Sequence, residues 1–106
     1  MKYKNKITEI DGIKFHSKKE SKRYQDLKFL LKHNFIRDLE CQHSINLVCN
    51  SIVIGKYICD FKYYDLQKDK WVIEDVKSPA TITPLYKLKK KILLTYDPPI
   101  VITEII

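Results

Sequence analysis

The spacing of apolar residues along the chain changes from helical to strand-like and back again. Tyr24, Leu27 and Leu31 recur at intervals of three or four residues, which predicts a helix from about Ser17 to His33. From "IRDLECQHSINLVC" to "KWVIEDVKS" the density of β-branched and apolar residues rises in runs that polar turns separate. This middle part of the chain is therefore predicted to form consecutive antiparallel strands, a β-meander.

A helical spacing returns late in the chain through Leu85, Leu88 and Ile92. Thr83 is expected to cap this second helix and Pro84 to occupy its first position. A Pro-Pro pair ends the helix, and "IVITEII" supplies a last strand. The order helix, three strands, helix, strand predicts an α/β fold whose central mixed sheet is flanked by helices.

The N-terminal part of the chain contains two further features. Asp11-Gly12 separates two short β-prone runs and is typical of a type I′ hairpin turn. The first six residues, "MKYKNK", alternate lysines with polar or aromatic residues, and we expect residues 1–6 to be a basic arm. With 106 residues and no linker or repeat, the chain is predicted to be one domain, 1–106.

The charge and cysteine content narrow the function classes. A net charge of +7 favours polyanionic partners such as nucleic acid. The three cysteines lack a CxxC pair, so we expect buried, inert thiols and neither a disulfide framework nor a zinc ribbon. No apolar run approaches the ~20 residues of a membrane span, and we expect a soluble, cytoplasmic protein with no membrane partner.

Acidic residues interrupt two of the predicted strands. Asp60 lies in "ICDF" and Asp75 in "VIEDVKS". If residues 66–69 form a four-residue loop, antiparallel pairing places Asp60 opposite Asp75, with Cβ atoms about 5 Å apart. Two carboxylates so close need a cation between them, and Mg²⁺, which prefers oxygen ligands, would supply it. Lys77 shares the face of Asp75 and could position a water or stabilise charge on phosphorus.

Each of these residues also has a simpler interpretation. A register shifted by one residue would bring Glu74, a possible alternate ligand, to that face in place of Asp75. Glu20 lies on the inward stripe of the first helix, but Ser17 and Glu20 also form an S-x-x-E capping box. The two aspartates could be solvated, and Lys77 could be an ordinary surface lysine.

The residues resemble a known family. Asp60 followed after a hairpin by Asp75-Val76-Lys77 resembles the two-part motif of the PD-(D/E)XK nuclease superfamily, and "SKKESKRY" resembles the helix that adds an acidic residue in many members. Over nearly the whole chain, the pattern is similar to small phage-type Holliday-junction resolvases. The resemblance implies a restriction-endonuclease-like α-β-β-β-α-β core and a Mg²⁺ cofactor, for which Mn²⁺ could substitute. It implies metal ligation by Glu20, Asp60 and Asp75, and catalysis by these residues with Lys77.

The sequence departs from the motif at Cys59, which stands where the family has proline, and at Glu74, which adjoins the acid before x-Lys. We therefore expect a Mg²⁺-dependent DNA endonuclease that acts as a homodimer on branched DNA. The alternatives are a duplex or flap nuclease, a cutting subunit of a transposition or restriction system, and a non-catalytic DNA-binding protein. The basic residues expected to contact DNA are Lys2, Lys4, Lys6, Lys18, Lys19, Lys22, Arg23, Lys62, Lys87, Lys90 and Lys91.

Overall fold

The computed structural model describes residues 7–106. Its elements are β1 (Thr8–Ile10), β2 (Ile13–Phe15), α1 (Lys18–Lys32), β3 (Ile36–Cys49), β4 (Ile52–Asp65), β5 (Lys70–Val76), a 3₁₀ turn (Pro79–Thr81), α2 (Pro84–Leu94) and β6 (Ile102–Ile105). The expected basic arm, residues 1–6, lies outside the described residues. The predicted order of helices and strands is confirmed.

The first two strands form the predicted hairpin. β1 and β2 pair antiparallel, with Ile10 opposite Ile13. Asp11 and Gly12 both have positive φ, 54° and 76°, which is the combination that a type I′ turn requires. The Tyr24 hydroxyl donates a hydrogen bond of 2.8 Å to Asp11 Oδ2, so the turn is fastened to α1.

A four-stranded mixed sheet in the order β3-β4-β5-β6 forms the centre of the fold. The strands β3, β4 and β5 are antiparallel neighbours, and β6 lies parallel to β5. The structure therefore has the coarse class expected, a mixed sheet combined with two helices. Within residues 7–106, none of the helices has the length and apolar character needed to cross a membrane.

Two hydrophobic clusters hold the helices. The α1 cluster consists of Phe15, Tyr24, Leu27, Ile36, Phe61, Tyr63 and Val72. The α2 cluster consists of Leu47, Tyr57, Cys59, Tyr86, Leu93 and Ile102. Each cluster removes aromatic and aliphatic area from water, which is the main favourable term in folding.

The long strands β3 and β4 pass from one cluster to the other. Alternation predicts that Cys59 and Phe61 share a face. In the structure the alternation holds, since Cys59, Phe61 and Tyr63 are buried while Ile58 is exposed. Phe61 nevertheless packs in the α1 cluster and Cys59 in the α2 cluster. The change of cluster occurs at Asp60, opposite a segment of β3 where Gln42 has a φ of +55°.

The helix caps agree with prediction, but the buried face of α2 does not. Thr83 Oγ1 accepts a hydrogen bond from the Tyr86 N–H at 3.1 Å, and Pro84 begins the helix. The residues that α2 buries are Tyr86 and Leu93, whereas Leu85 and Leu88 are exposed. The expectation that the Leu85 stripe packs inward is wrong, because Tyr86 brings the larger ring to the sheet and its hydroxyl bonds Glu104.

All three thiols are unbridged, as expected, but they differ in burial. Cys59 is buried, Cys41 is half-buried and Cys49 is exposed. The prediction of a buried thiol is confirmed for Cys59 and wrong for Cys49, which is the last residue of β3. Burial raises the pKa of both the Cys41 and Cys59 thiols to about 11, so these two groups stay protonated near neutral pH.

Candidate active site

Side chains replace part of the backbone ladder between β4 and β5. The Asp60 N–H donates to Asp75 Oδ1 over 3.0 Å, and the Val76 N–H donates to Asp60 Oδ2 over 2.8 Å. The strand register runs from Asp65 opposite Lys70 to Phe61 opposite Glu74. Continued by one residue, it places Asp60 opposite Asp75, which confirms the predicted register.

Glu20 reaches the same point from the first turn of α1. Ser17 Oγ accepts a hydrogen bond of 3.1 Å from the Glu20 N–H, so the predicted Ser17 cap is confirmed. The Glu20 carboxyl makes no return bond to the Ser17 N–H and is instead buried beside Asp60. Interpreting Glu20 as a helix cap alone is therefore wrong.

Burial and mutual repulsion perturb these carboxyl groups. Burial, followed by the neighbouring Asp60, raises the pKa of Glu20 to about 7. Burial also raises the pKa of Asp60, and it raises the pKa of Asp75 to about 6. Burial and the neighbouring Asp60 therefore favour the protonated form of the Glu20 carboxyl. Asp75 is only 3% exposed, which excludes the solvated interpretation for this residue.

Lys77 follows β5 and lies beside the acidic residues. Burial raises the pKa values of Asp60 and Asp75, and the Lys77 ammonium offsets part of that rise; its Nζ stands 4.0 Å above the centre of the Tyr86 ring. Its backbone is held on two sides, since the N–H donates to the Ile105 carbonyl at 2.8 Å and the carbonyl accepts from Lys19 Nζ at 3.0 Å. Lys77 is therefore a positioned cation, unlike an ordinary surface lysine.

These groups open onto a cleft of about 450 Å³, which we name the carboxylate cleft. Glu20, Asp60 and Lys77 line it, together with His16 and Gln42. α1 supplies one wall, and Asp60 within β4 and Val76 at the end of β5 supply the other. The cleft thus combines two neighbouring carboxyl groups with one cation close enough to act on their charge.

The side chains fit a hard cation only in part. Among residues 7–106, no group of three or more His, Cys, Asp or Glu side chains is arranged to hold a metal ion. Glu20, Asp60 and Asp75 therefore do not form a complete ligand set in this arrangement, and Asp75 Oδ1 accepts from the Asp60 N–H. The Glu20 and Asp60 carboxyls are nevertheless adjacent oxygen donors. Mg²⁺ commonly binds through one or two carboxylates with waters and phosphate oxygens, so this pair suits it.

Glu74 lies away from the carboxylate cleft. Arg23 Nε donates to Glu74 Oε1 at 2.9 Å and Arg23 Nη2 to Oε2 at 2.6 Å, while the Tyr63 hydroxyl also donates to Oε2. Both carboxylate oxygens are thereby occupied, so Glu74 as an alternate metal ligand is wrong. Arg23, one of the expected DNA contacts, is half-buried, and this buried acid binds its guanidinium.

The other predicted DNA contacts differ in their surroundings. Lys90 Nζ lies 3.0 Å from Glu104 Oε2, so an ion pair already compensates part of its charge. Lys62, on the interior strand β4, stands 4.8 Å over the Trp71 ring. Lys18, Lys19, Lys22, Lys87 and Lys91 are exposed, and Lys2, Lys4 and Lys6 lie outside the described residues.

Two contacts of this region escaped the sequence-based prediction. Arg23 is among the expected DNA contacts, but a buried Glu74 requires a cation, and that requirement could have identified their pairing. Tyr86 supports Lys77 through its ring, and nothing in its local sequence marks that contact. Tyr86 therefore acts on the cleft through Lys77, whereas Arg23 holds Glu74 away from it.

The comparison with protein families gives one match. The family model described as a protein of unknown function, DUF1064, matches residues 1–100. The chain belongs to the DUF1064 family. No curated protein and no solved structure matches it. For this DUF1064 protein, the geometry of the site is therefore the evidence from which function has to be argued.

Proposed function

We propose that this DUF1064 protein is a Mg²⁺-dependent DNA endonuclease with a restriction-endonuclease-like core. The observation that carries the proposal is the convergence of Glu20 and Asp60 in one cleft, with Asp75 bonded to the Asp60 amide and Lys77 beside both aspartates. The cleft holds carboxyl groups close together, and burial and this proximity raise their pKa values. Perturbed groups in a cleft are typical of functional sites.

The motif and the geometry agree on which acid matters. The PD-(D/E)XK resemblance assigns roles to Asp60, Asp75 and Lys77, and these residues lie together where the end of β5 meets the middle of β4. The neighbouring Glu74 binds Arg23, and we propose no role for it at the metal. If the match to so short a motif were due to chance, there would be no reason for Asp75 to lie at the cleft while Glu74 lies away from it.

The proposed roles follow from the contacts. Glu20 and Asp60 would hold Mg²⁺, with Asp75 bonded to the Asp60 amide beside them, and the ion would activate water and neutralise charge on a phosphodiester. Lys77, held over Tyr86, stabilises the negative charge that develops on the scissile phosphate. Exposed lysines of α1 and α2 supply non-specific attraction to the DNA backbone.

The substrate class is branched DNA, and the active form is a homodimer of cytoplasmic location. A four-way junction has two equivalent strands to cut, which a two-fold dimer matches. The test compares cleavage of a four-way junction with cleavage of a linear duplex of the same sequence, in Mg²⁺ and in Mn²⁺. Faster cutting of the junction is expected. Equal rates would replace the resolvase proposal with a duplex nuclease, a flap nuclease or the cutting subunit of a larger system.

Two variants test the chemistry. Asp60→Asn and Lys77→Ala should lower the cleavage rate at least a hundredfold, while binding to the same junction in Ca²⁺ changes little. Asp26→Asn on the exposed side of α1 and Lys68→Ala in the β4–β5 turn make the same charge changes away from the cleft, and both should cut normally. Circular dichroism melts establish that all four variants fold.

The competing proposal is a DNA-binding protein without catalysis. The absence of a complete set of three ligand side chains in residues 7–106 is the observation that favours it. If the wild-type protein binds DNA but cuts none of the substrates with Mg²⁺ or Mn²⁺, the nuclease proposal is wrong and this alternative replaces it.

A further inference from the structure

A second depression, of about 310 Å³, adjoins the carboxylate cleft. We name it the basic groove; Lys56, Ile58, Lys77, Thr83, Leu85 and Lys89 are among the residues that line it. Three residues, Ile58, Lys77 and Thr81, line both depressions. The two depressions are therefore one continuous path, with Lys77 at the point where they meet.

The two ends of the path have opposite charge. Glu20 and Asp60 line the carboxylate cleft, whereas the described residues that line the basic groove include three lysines and no acid. Lys89 Nζ donates to the Lys56 carbonyl at 3.1 Å, which holds its ammonium at the wall of the groove. An acidic end suited to a cation and a basic end suited to an anion thus share one path.

The lysines of α2 lie in two different environments. Lys90 is turned to Glu104, which compensates part of its charge, whereas Lys89 lines the basic groove. The first turn of α2 also lies at the groove, since Thr83 caps the helix and lines the wall. The positive end of the helix dipole adds to the field of the lysines.

The groove also has an apolar wall. Ile58 is 61% exposed and Leu85 is 59% exposed, although each lines the groove. A ligand that combines an anionic group with an apolar or aromatic body matches this pairing of lysines with aliphatic side chains. The volume is at the lower end of the range for ligand pockets and suits a single unit of a polymer.

We propose that the basic groove holds one nucleotide of the cut DNA strand, next to the phosphodiester in the carboxylate cleft. The nucleotide's phosphate lies between Lys56 and Lys89, and its sugar or base contacts Ile58 and Leu85. Lys77 lies between this nucleotide and the scissile position. The inference rests on the proposed function, because it is the nuclease activity that makes the carboxylate cleft the point of cutting.

The first test measures binding without cleavage. Fluorescence anisotropy with a labelled single-stranded oligonucleotide in EDTA compares the full wild-type chain with Lys56→Ala, Lys89→Ala and the double variant. Each single change should weaken binding by about threefold to tenfold and lower the slope of log K against log salt by about 0.7. Lys68→Ala, an exposed lysine in the β4–β5 turn, is the matched control and should bind like wild type.

Arginine variants keep the test independent of folding. Lys56→Arg and Lys89→Arg retain the charge and should restore most of the binding that the alanine variants lose. A double alanine variant that melts at the wild-type temperature and binds like Lys68→Ala would overturn the inference.

Cleavage kinetics separate this inference from the nuclease proposal. If the wild-type protein cuts DNA, Lys56→Ala and Lys89→Ala should raise KM with little change in kcat, because they touch a neighbouring unit of the strand. Cutting with an unchanged KM would refute the groove and leave the nuclease proposal standing. If the wild-type protein never cuts DNA but the variants lose binding, the groove is supported as a DNA site and the nuclease proposal is wrong.

Discussion

Replacing Glu20 by glutamine should make the metal-free protein more stable at high pH. Burial and Asp60 raise the pKa of Glu20 from its ordinary 4.5 to about 7, so the folded state binds a proton more tightly than the unfolded chain. Stability should therefore fall as the pH rises from about 4.5 to 7 and remain lower above that range. Glutamine retains the shape and carries no charge, so this loss should disappear.

The size of the effect follows from the two pKa values. A tenfold change in proton affinity is about 1.4 kcal/mol, so the difference between 4.5 and about 7 sets an upper limit of about 3 kcal/mol. Solvent in the open cleft reduces this, and we expect Glu20→Gln to gain about 1–2 kcal/mol at pH 8 and about half as much at pH 5, where the unfolded glutamate is already mostly ionised. For a domain of this size, 1 kcal/mol corresponds to about 4 °C in melting temperature or more.

The assay is urea unfolding in EDTA at pH 5 and pH 8, with Asp26→Asn on the same helix as the charge-matched control. The variant should keep a weaker pH dependence, because Asp75 has a pKa of about 6 and still loses its proton in this range. Added Mg²⁺ should stabilise the wild-type protein more than Glu20→Gln at pH 8. A variant that is less stable than wild type by the same amount at both pH values would refute the reasoning.

Two more predictions concern groups outside the cleft. Cys49, exposed at the end of β3, should react first with a thiol reagent at pH 8, whereas buried Cys59, with a pKa of about 11, should react only on unfolding. Mass spectrometry of the labelled peptides measures the two rates, and equal labelling would contradict the burial of Cys59. Arg23→Ala should lower the free energy of unfolding by about 3 kcal/mol because Glu74 is left buried without its cation. In urea titrations Lys22→Ala, an exposed neighbour, should change it by less than about 0.5 kcal/mol, and similar losses for both would be inconsistent with the ion pair.

Local patterns were sufficient to predict most of the fold. The cap of α1 at Ser17 and that of α2 at Thr83 depend on neighbouring residues, which the sequence displays directly. The register that places Asp60 opposite Asp75 required only the length of one turn. The acidic pair could therefore be predicted from the sequence alone.

What the sequence could not provide depends on packing over long distances. Either of two stripes on α2 could have been buried, and contact of Tyr86 with the sheet and Glu104 decided between them. The change of cluster at Asp60 accompanies a positive φ at Gln42, a residue type whose conformation local patterns do not reveal. The Arg23–Glu74 pair joins positions 51 residues apart, and only the folded chain brings them together.

The side-chain bonds where the end of β5 meets the middle of β4 give the protein an internal spectroscopic probe. The amide protons of Asp60 and Val76 are bound by the carboxylates of Asp75 and Asp60, respectively. Their NMR chemical shifts should therefore follow the charge on each acid and the arrival of a cation, residue by residue. A titration of ¹⁵N-labelled protein could thus follow the chemistry of this cleft without any knowledge of the substrate.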